Sequence, residues 1–175
     1  MGPTEKLIKE FARNGHPLGN GVLLEEVPVL IEALRQRISA SADELDLSPA
    51  SLKRLEQYLY DLYQSMQDRG LALSNDDLVQ MVREIAAYIG EVLVRYAGGQ
   101  WGKEPLTLWS TEVIIDGPWE VIKDRRYVSP QPASFIIGGE AAWAWDLIST
   151  GKKPNLYRTF RDARSKRLRE RLPNA

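Results

Sequence analysis

The sequence predicts an α+β protein in which a helical N-terminal half packs on a small antiparallel sheet and is followed by C-terminal helices. Apolar residues recur at intervals of three and four through residues 25–97, a spacing typical of amphipathic helices. Residues 105–128 instead contain short β-branched and aromatic runs separated by turn residues, which predict two or three strands. Because no linker is long enough to separate two domains, we expect one domain over residues 1–150 and a basic helix or tail, residues 151–175, appended to it.

Three of the four helices predicted in the N-terminal half have simple boundaries. Thr4 is placed to cap a short first helix, which Gly15 ends. An amphipathic second helix is expected over about residues 25–42. Ser48 is placed to cap the third helix, because its hydroxyl can accept a free backbone amide, and Gly70 ends that helix.

The fourth helix has the clearest pattern of the chain. Ser74 and the acidic residues after it have the spacing of a capping box, and a long apolar stripe follows. A second flank carries small residues around Gly90, which predicts that another element approaches closely. Gly98 and Gly99 stop the helix, and Trp101 is expected to fold back on it.

The C-terminal part is predicted to contain the strands and two further helices. One helix is expected over residues 140–148, and a last helix with a heavily basic face over residues 157–172. Residues 135–137 suit either a last short strand or the start of a helix. The predicted strands cover residues 106–109, 112–115 and 119–122.

The composition excludes several classes of chemistry. The chain has no Cys, so it forms neither a disulfide nor a thiolate metal site, and a single His cannot form a site that needs two imidazoles. It has no apolar stretch of membrane-spanning length, and its first residues lack the basic-then-apolar pattern of a secretory signal. We therefore expect a cytoplasmic protein without a cofactor and without a membrane partner.

Charge is distributed unevenly along the chain. The net charge is −1, but residues 151–175 carry nine cations and two acidic residues, so this tail is +7 and residues 1–150 are −8. Such a tail favours an acidic partner, nucleic acid included, or docking on the acidic body of its own chain or of a second copy. The nine cations are Lys152, Lys153, Arg158, Arg161, Arg164, Lys166, Arg167, Arg169 and Arg171.

Two segments resemble a family of uncharacterised bacterial proteins. Residues 45–59 have the Ser-Leu-rich helix start of that family. Residues 87–101 have its Tyr-x-Gly-Glu helix, here beginning at Tyr88, and its Gly-Gly-x-Trp ending, here closed by Trp101. The resemblance covers roughly residues 45–128 and implies that a small sheet follows the helix. It implies no activity, because none is attached to the family.

Four polar residues of the fourth helix form a conditional site. Glu84, Tyr88, Glu91 and Arg95 are predicted to lie on the face away from the main apolar stripe. Two carboxylates seven residues apart can hold a hard cation such as Mg²⁺ or act as an acid and a base. The same residues suit a solvated charged face, in which Glu91 and Arg95 form a stabilising pair one helical turn apart. We favour this second interpretation.

His16 lies in a glycine-rich segment, residues 15–21. An imidazole can transfer a proton near neutral pH, and such a segment can offer backbone amides to an anion. The Lys and the Ser or Thr of a phosphate-binding loop are absent, because Val22 and Leu23 stand in their place. We therefore expect an ordinary surface loop.

The Trp residues all lie after residue 100, and most are expected in the core because they supply large buried areas. Trp143 and Trp145 are two positions apart on a predicted helix, so their side chains point about 160° from each other and one is expected to be exposed. An exposed Trp near Arg125, Arg126 and Tyr127 would suit a binding hot spot. The five are Trp101, Trp109, Trp119, Trp143 and Trp145.

These observations favour a protein that acts by binding another macromolecule, first of all a protein, as an adaptor or an inhibitor. Enzymatic activity is left open, with a non-enzymatic role favoured. The alternatives are nucleic-acid binding through the basic C-terminal helix and a divalent-metal-dependent enzyme that uses Glu84 and Glu91. A homo-oligomer is also left open. The residues expected to contact a partner are Trp143, Trp145, Arg158, Arg161, Arg164, Lys166, Arg167, Arg169 and Arg171.

Overall fold

The computed structural model describes residues 2–15, 22, 24–101, 112–120, 130–158 and 160–161. Helices account for most of these residues. A 3₁₀ turn at Leu24–Glu26 leads into the second helix, and residues 156–158 and 160–161 are again helical. The α-helices are α1 (Pro3–Arg13), α2 (Val27–Arg37), α3 (Pro49–Asp68), α4 (Asn75–Tyr96) and α5 (Ile137–Ser149).

Helix α4 is the centre of the core. Every residue from 81 to 90 is buried, so the helix is covered on all sides through this stretch. It packs mainly against α2 and α5, while α1 and α3 both contact α5. A helix without a solvent face is typical of a position inside a helical assembly. The prediction that a second flank of this helix is covered is therefore confirmed.

Three extended backbone segments follow α4, namely β1 (Gly99–Trp101), β2 (Glu112–Glu120) and β3 (Pro130–Ile136). They pair antiparallel in this order, and the register between β2 and β3 shifts between Ile115 and Trp119. The turn predicted after residue 115 is thus an irregularity within one strand. The predicted strand over residues 106–109 lies outside the described residues.

The predicted α+β class is wrong, because the protein is mostly helical. Every buried hydrophobic side chain that the structure describes lies on a helix, at a helix end or in a segment joining two helices. The core is therefore formed by helices packed on helices and not by a helical half lying on an antiparallel sheet. The β-branched runs after residue 105 suggested such a sheet, whereas α2 and α5 provide most of the packing around α4.

Both predicted serine caps are confirmed. Ser48 Oγ accepts the backbone N–H of Ser51 at 3.2 Å, and Ser74 Oγ accepts that of Asp77 at 3.2 Å. Gly70 follows α3 with φ +63°, a left-handed conformation that favours glycine. These boundaries follow from local chemistry, since a hydroxyl satisfies an amide that has no partner within the helix.

The predicted cap of α1 is wrong. The helix begins at Pro3, and the backbone N–H of Thr4 donates to Asp146 Oδ1 on α5 at 3.1 Å. A Cβ atom added to Gly2 would lie 1.6 Å from Asp146 Oδ2, so only glycine permits this approach. The capping carboxylate therefore comes from another helix, 142 positions along the chain.

Helix α2 ends at Arg37, five residues before the predicted boundary. The chain leaves the helix through Ser39, which has a left-handed φ of +54°. Arg35 then holds the following loop, because its Nε and Nη2 atoms donate to the carbonyl oxygen of Leu45 at 3.1 and 2.6 Å. Apolar spacing extended the predicted helix to residue 42, but these side-chain bonds stabilise a loop there instead.

Candidate functional site

The polar cluster predicted on α4 is divided between different partners. Glu84 is buried, with 2% of its side chain exposed, and binds Arg37 of α2 through two hydrogen bonds. Arg37 Nε donates to Glu84 Oε2 at 2.7 Å, and Arg37 Nη2 donates to Oε1 at 3.0 Å. This hydrogen bonding raises the pKa of Arg37 above its ordinary value, against the effect of burial. The prediction that Glu84 lies on a solvent face is therefore wrong.

The residue before Glu84 pairs with the other end of α2. Arg83 Nη2 donates to Glu26 Oε2 at 2.8 Å, and Glu26 immediately precedes the helix. Adjacent residues of α4 thus bind charges at the two ends of α2, which carries Glu26 at its start and Arg37 at its end. Ionic pairing explains why charged side chains are buried between these helices. Arg37 was not predicted as a site residue, because its position in an amphipathic pattern indicated only a polar face.

Tyr88, which was predicted to lie beside these charged residues, is fully buried. Its hydroxyl oxygen accepts the backbone N–H of Leu47 at 3.1 Å and lies 2.5 Å from Ser51 Oγ. Ser51 Oγ donates to the carbonyl oxygen of Ser48 at 2.6 Å, so the hydroxyl proton of Tyr88 is directed to Ser51. Burial raises the pKa of Tyr88 above its ordinary value.

Glu91 and Arg95 form the predicted pair. Arg95 Nε donates to Glu91 Oε1 at 2.9 Å, and the Arg95 side chain is 51% exposed. Glu91 Oε2 also accepts the indole N–H of Trp101 at 3.3 Å. The indole lies against Gly90, where an added Cβ would approach Trp101 Cη2 to 2.0 Å. The prediction that Trp101 folds back on the fourth helix is confirmed.

The four residues of the conditional site therefore do not form one acidic cluster. Glu84 binds Arg37 on α2, while Glu91 binds Arg95 and Trp101. Among the described residues, no group of three or more His, Asp or Glu lies close enough together to hold a metal ion. The contacts of these residues stabilise the packing of α4 against its neighbours.

The two Trp residues of α5, which are two positions apart, differ in exposure as predicted. Trp145 is 6% exposed and contacts Tyr63 of α3 edge to face, with ring centroids 6.0 Å apart. Trp143 is 48% exposed. Leu147 lies one helical turn further on the same face and is partly exposed. We call Trp143 and Leu147 the α5 strip. Of these two residues, only Trp143 was predicted from the sequence to contact a partner.

The beginning of the basic C-terminal tail docks on the helical body. Leu156 and Phe160 are buried in the main hydrophobic core, with 1% and 2% of their surfaces exposed. Tyr157 donates its backbone N–H to Glu56 Oε1 of α3 at 3.0 Å. We call residues 153–158, 160 and 161 the C-terminal strap. For these residues, docking of the tail on the acidic body is therefore what the structure describes.

Several predicted site residues lie outside the described part of the chain, so their predicted roles stay predictions. They include the only histidine and most of the cations of the tail. Arg158 and Arg161 are described, and both are exposed. The residues outside are His16, Trp109, Arg125, Arg126, Tyr127, Arg164, Lys166, Arg167, Arg169 and Arg171.

Comparison with known proteins adds no further assignment: no family model matches the chain, and neither curated proteins nor solved structures gave a match. The resemblance to uncharacterised bacterial proteins consequently rests on the quoted motifs alone. Within the described residues, no helix combines the length and the apolar character needed to cross a membrane.

Proposed function

We propose that this protein acts by binding another protein through the α5 strip. The observation that carries the proposal is the 48% exposure of Trp143. Trp is enriched among the residues that contribute most to protein interfaces, because one side chain buries a large area at a low entropic cost. Leu147 extends the apolar surface by one helical turn.

The composition of α5 supports this proposal. The helix carries only two charged residues in thirteen, and Asp146 is occupied in capping α1. Its alanines at positions 141, 142 and 144 are buried against the rest of the core, so α5 is held firmly in place. A rigid helix that presents an aromatic side chain needs little ordering when a partner binds.

The internal pairing of the polar residues of α4 supports binding over catalysis. Glu84 and Tyr88 are buried, and their contacts hold helices and loops together. Both the adaptor and the inhibitor roles are compatible with a surface of this kind. The partner would decide between them.

The test is an affinity capture from native extract with the full-length protein and two exposed-residue variants. We expect a protein retained in stoichiometric amount after nuclease treatment, lost with Trp143→Ala and kept with Val29→Ala. Val29 is a matched control because it is 70% exposed on another helix, α2. Retention that Trp143→Ala leaves unchanged would contradict the proposal.

The same experiment examines nucleic-acid binding, the second candidate. Docking of Leu156 and Phe160 fixes the start of the basic tail while Arg158 and Arg161 remain at the surface. Binding through this tail would disappear after nuclease treatment and would weaken steeply with added salt, since phosphate contacts release counterions. Retention that resists both treatments favours the protein partner.

A further inference from the structure

The C-terminal strap and α3 bring lysines from distant parts of the chain onto one surface. Lys153 Nζ donates to Gln57 Oε1 at 2.5 Å, across 96 positions of sequence, and lies 5.3 Å from the ring centroid of Tyr60. Four residues further along the strap, Lys53 Nζ of α3 lies 4.6 Å from the ring centroid of Tyr157. The strap therefore runs antiparallel to α3, and the two lysines lie along the seam between them.

The two lysines of the seam are held by neutral groups. Lys153 bonds to an amide oxygen and lies over one aromatic ring, and Lys53 lies over another. None of these partners carries a formal charge, so the contacts position the ammonium groups without neutralising them. Both lysines are exposed. These contacts therefore leave both positive charges at the surface.

A third cation extends this row. Arg161 lies one helical turn after Tyr157 on the strap and is exposed. Glu56 of α3 also meets the strap, but its Oε1 is occupied in accepting the backbone N–H of Tyr157 at 3.0 Å. The seam is therefore lined mainly by cations and aromatic rings. We call the following residues the basic face: Lys53, Tyr60, Lys153, Tyr157 and Arg161.

Aromatic rings lie between the cations of the basic face. Tyr60 and Tyr157 are partly exposed, and each lies under a lysine. Rings interleaved with cations are typical of surfaces that bind single-stranded nucleic acid, where cations contact the phosphates and bases stack on the rings. Insertion into a lipid surface is disfavoured, because the large apolar residues of the strap, Leu156 and Phe160, are buried in the core.

We propose that the basic face binds single-stranded nucleic acid, with phosphates at the three cations and bases against the two tyrosines. The site deepens the second candidate function, on which it rests, by adding a face of α3 to the basic tail. Residues 1–150 carry a net charge of −8, so the rest of the body repels a polyanion and confines the contact to this face.

The test is the binding of a labelled oligouridylate of about 16 nucleotides, measured by fluorescence anisotropy between about 50 and 200 mM salt. Lys53→Gln combined with Lys153→Gln is expected to weaken binding about tenfold or more. The slope of log affinity against log salt should become shallower by about 1.4, because each lost phosphate contact contributes about 0.7. Lys6→Gln combined with Arg13→Gln is the matched control, since it removes two exposed cations of α1 and should leave affinity and slope nearly unchanged.

Tyr60→Leu separates stacking from charge. The variant keeps an apolar side chain but removes the ring, and it is expected to weaken binding about fivefold or more with an unchanged salt slope, because stacking of one base contributes about this factor. Tyr58→Leu is the control on the same helix, since the hydroxyl of Tyr58 binds Glu44 in another direction. Unchanged binding in Tyr60→Leu, or equally tight binding of a duplex of the same length, would overturn the assignment to single strands.

The remaining outcomes separate this site from the wider candidate function. Full binding by the chain with Lys53→Gln and Lys153→Gln would overturn the site but leave nucleic-acid binding by the rest of the tail standing. No binding by the natural chain would overturn both. Polyglutamate that competes equally at the same charge concentration would indicate an acidic protein as the partner and would also overturn the proposal. Trp143→Ala should leave oligouridylate binding unchanged, so the result is independent of the α5 strip.

Discussion

The hydroxyl of Tyr88 holds the backbone of Leu47, accepting its N–H at 3.1 Å across 41 positions of sequence. Leu47 has φ +63°, a left-handed conformation that is strained for a residue with a Cβ atom. It lies in the loop between α2 and α3, directly before Ser48, which caps α3. The buried side chain of Tyr88 on α4 thus stabilises both the strained backbone of Leu47 and the start of α3.

Tyr88→Phe is expected to lower the free energy of unfolding by about 1–3 kcal/mol, because the buried N–H of Leu47 loses its acceptor. Chemical denaturation measures this change. Ser51→Ala removes the other partner of the hydroxyl, and the double variant should lose less than the sum of the two single losses. Strict additivity would mean that the bond between Tyr88 and Ser51 contributes nothing.

The raised pKa of Tyr88 predicts how the free energy of unfolding depends on pH in the alkaline range. Burial raises its pKa in the folded protein above the ordinary value of 10.0. The unfolded chain therefore releases the proton at a lower pH than the folded protein. The stabilisation is fully present below pH 10 and decreases above it by at most about 1.4 kcal/mol per pH unit. Denaturation curves from pH 8 to 11 should show a shallower decrease for Tyr88→Phe than for the natural chain.

Glu84→Ala is expected to destabilise the protein by about 3–5 kcal/mol, because it leaves the guanidinium of Arg37 between packed helices without its carboxylate. The exposed pair gives the matched control. Arg95→Ala should change the free energy of unfolding by no more than about 0.5 kcal/mol, since Arg95 is half exposed. Equal losses in the two variants would contradict the difference in burial.

Gly90→Ala is expected to be destabilising by about 1–3 kcal/mol, since the new methyl group would displace the indole of Trp101. The sign should reverse when the indole is absent. In a Trp101→Ala background, Gly90→Ala is expected to stabilise by up to about 1 kcal/mol, because alanine favours the helix. A loss of equal size in both backgrounds would show that another contact excludes the methyl group.

The two Trp residues of α5 are expected to separate stability from binding. Trp145→Ala should lower the free energy of unfolding by about 3–5 kcal/mol, because it leaves a cavity next to Tyr63. Trp143→Ala should change it by about 0.5 kcal/mol or less and should instead affect partner capture. Thermal denaturation of both variants tests this division.

Helix boundaries that are set by local side chains were predictable from the sequence. Boundaries that are set by contacts with distant residues were not. Ser48 and Ser74 cap their helices through atoms three residues away, which a single sequence displays. Thr4 was expected to act in the same way, but a carboxylate of α5 replaces it. No spacing rule links positions 4 and 146.

The positions of Glu84 and Tyr88 were mispredicted for a related reason. Glu84 and Tyr88 are polar residues off the main apolar stripe, and this pattern normally indicates solvent. The structure buries them because Arg37 and the loop at Leu47 supply complementary groups. Trp143 and Trp145 were predicted correctly, because their relative direction depends on helical geometry alone.

Because of the bond between Thr4 and Asp146, the cap of α1 can form only after α5 has been synthesised. The ribosome produces α1 first, but the carboxylate that completes its first turn is added 142 residues later. Until α5 emerges, α1 lacks both its cap and one of the helices that cover it. Contacts between such distant positions slow folding, because a long loop must close before they are made. The nascent N-terminal helix therefore stays incomplete until most of the chain has been translated.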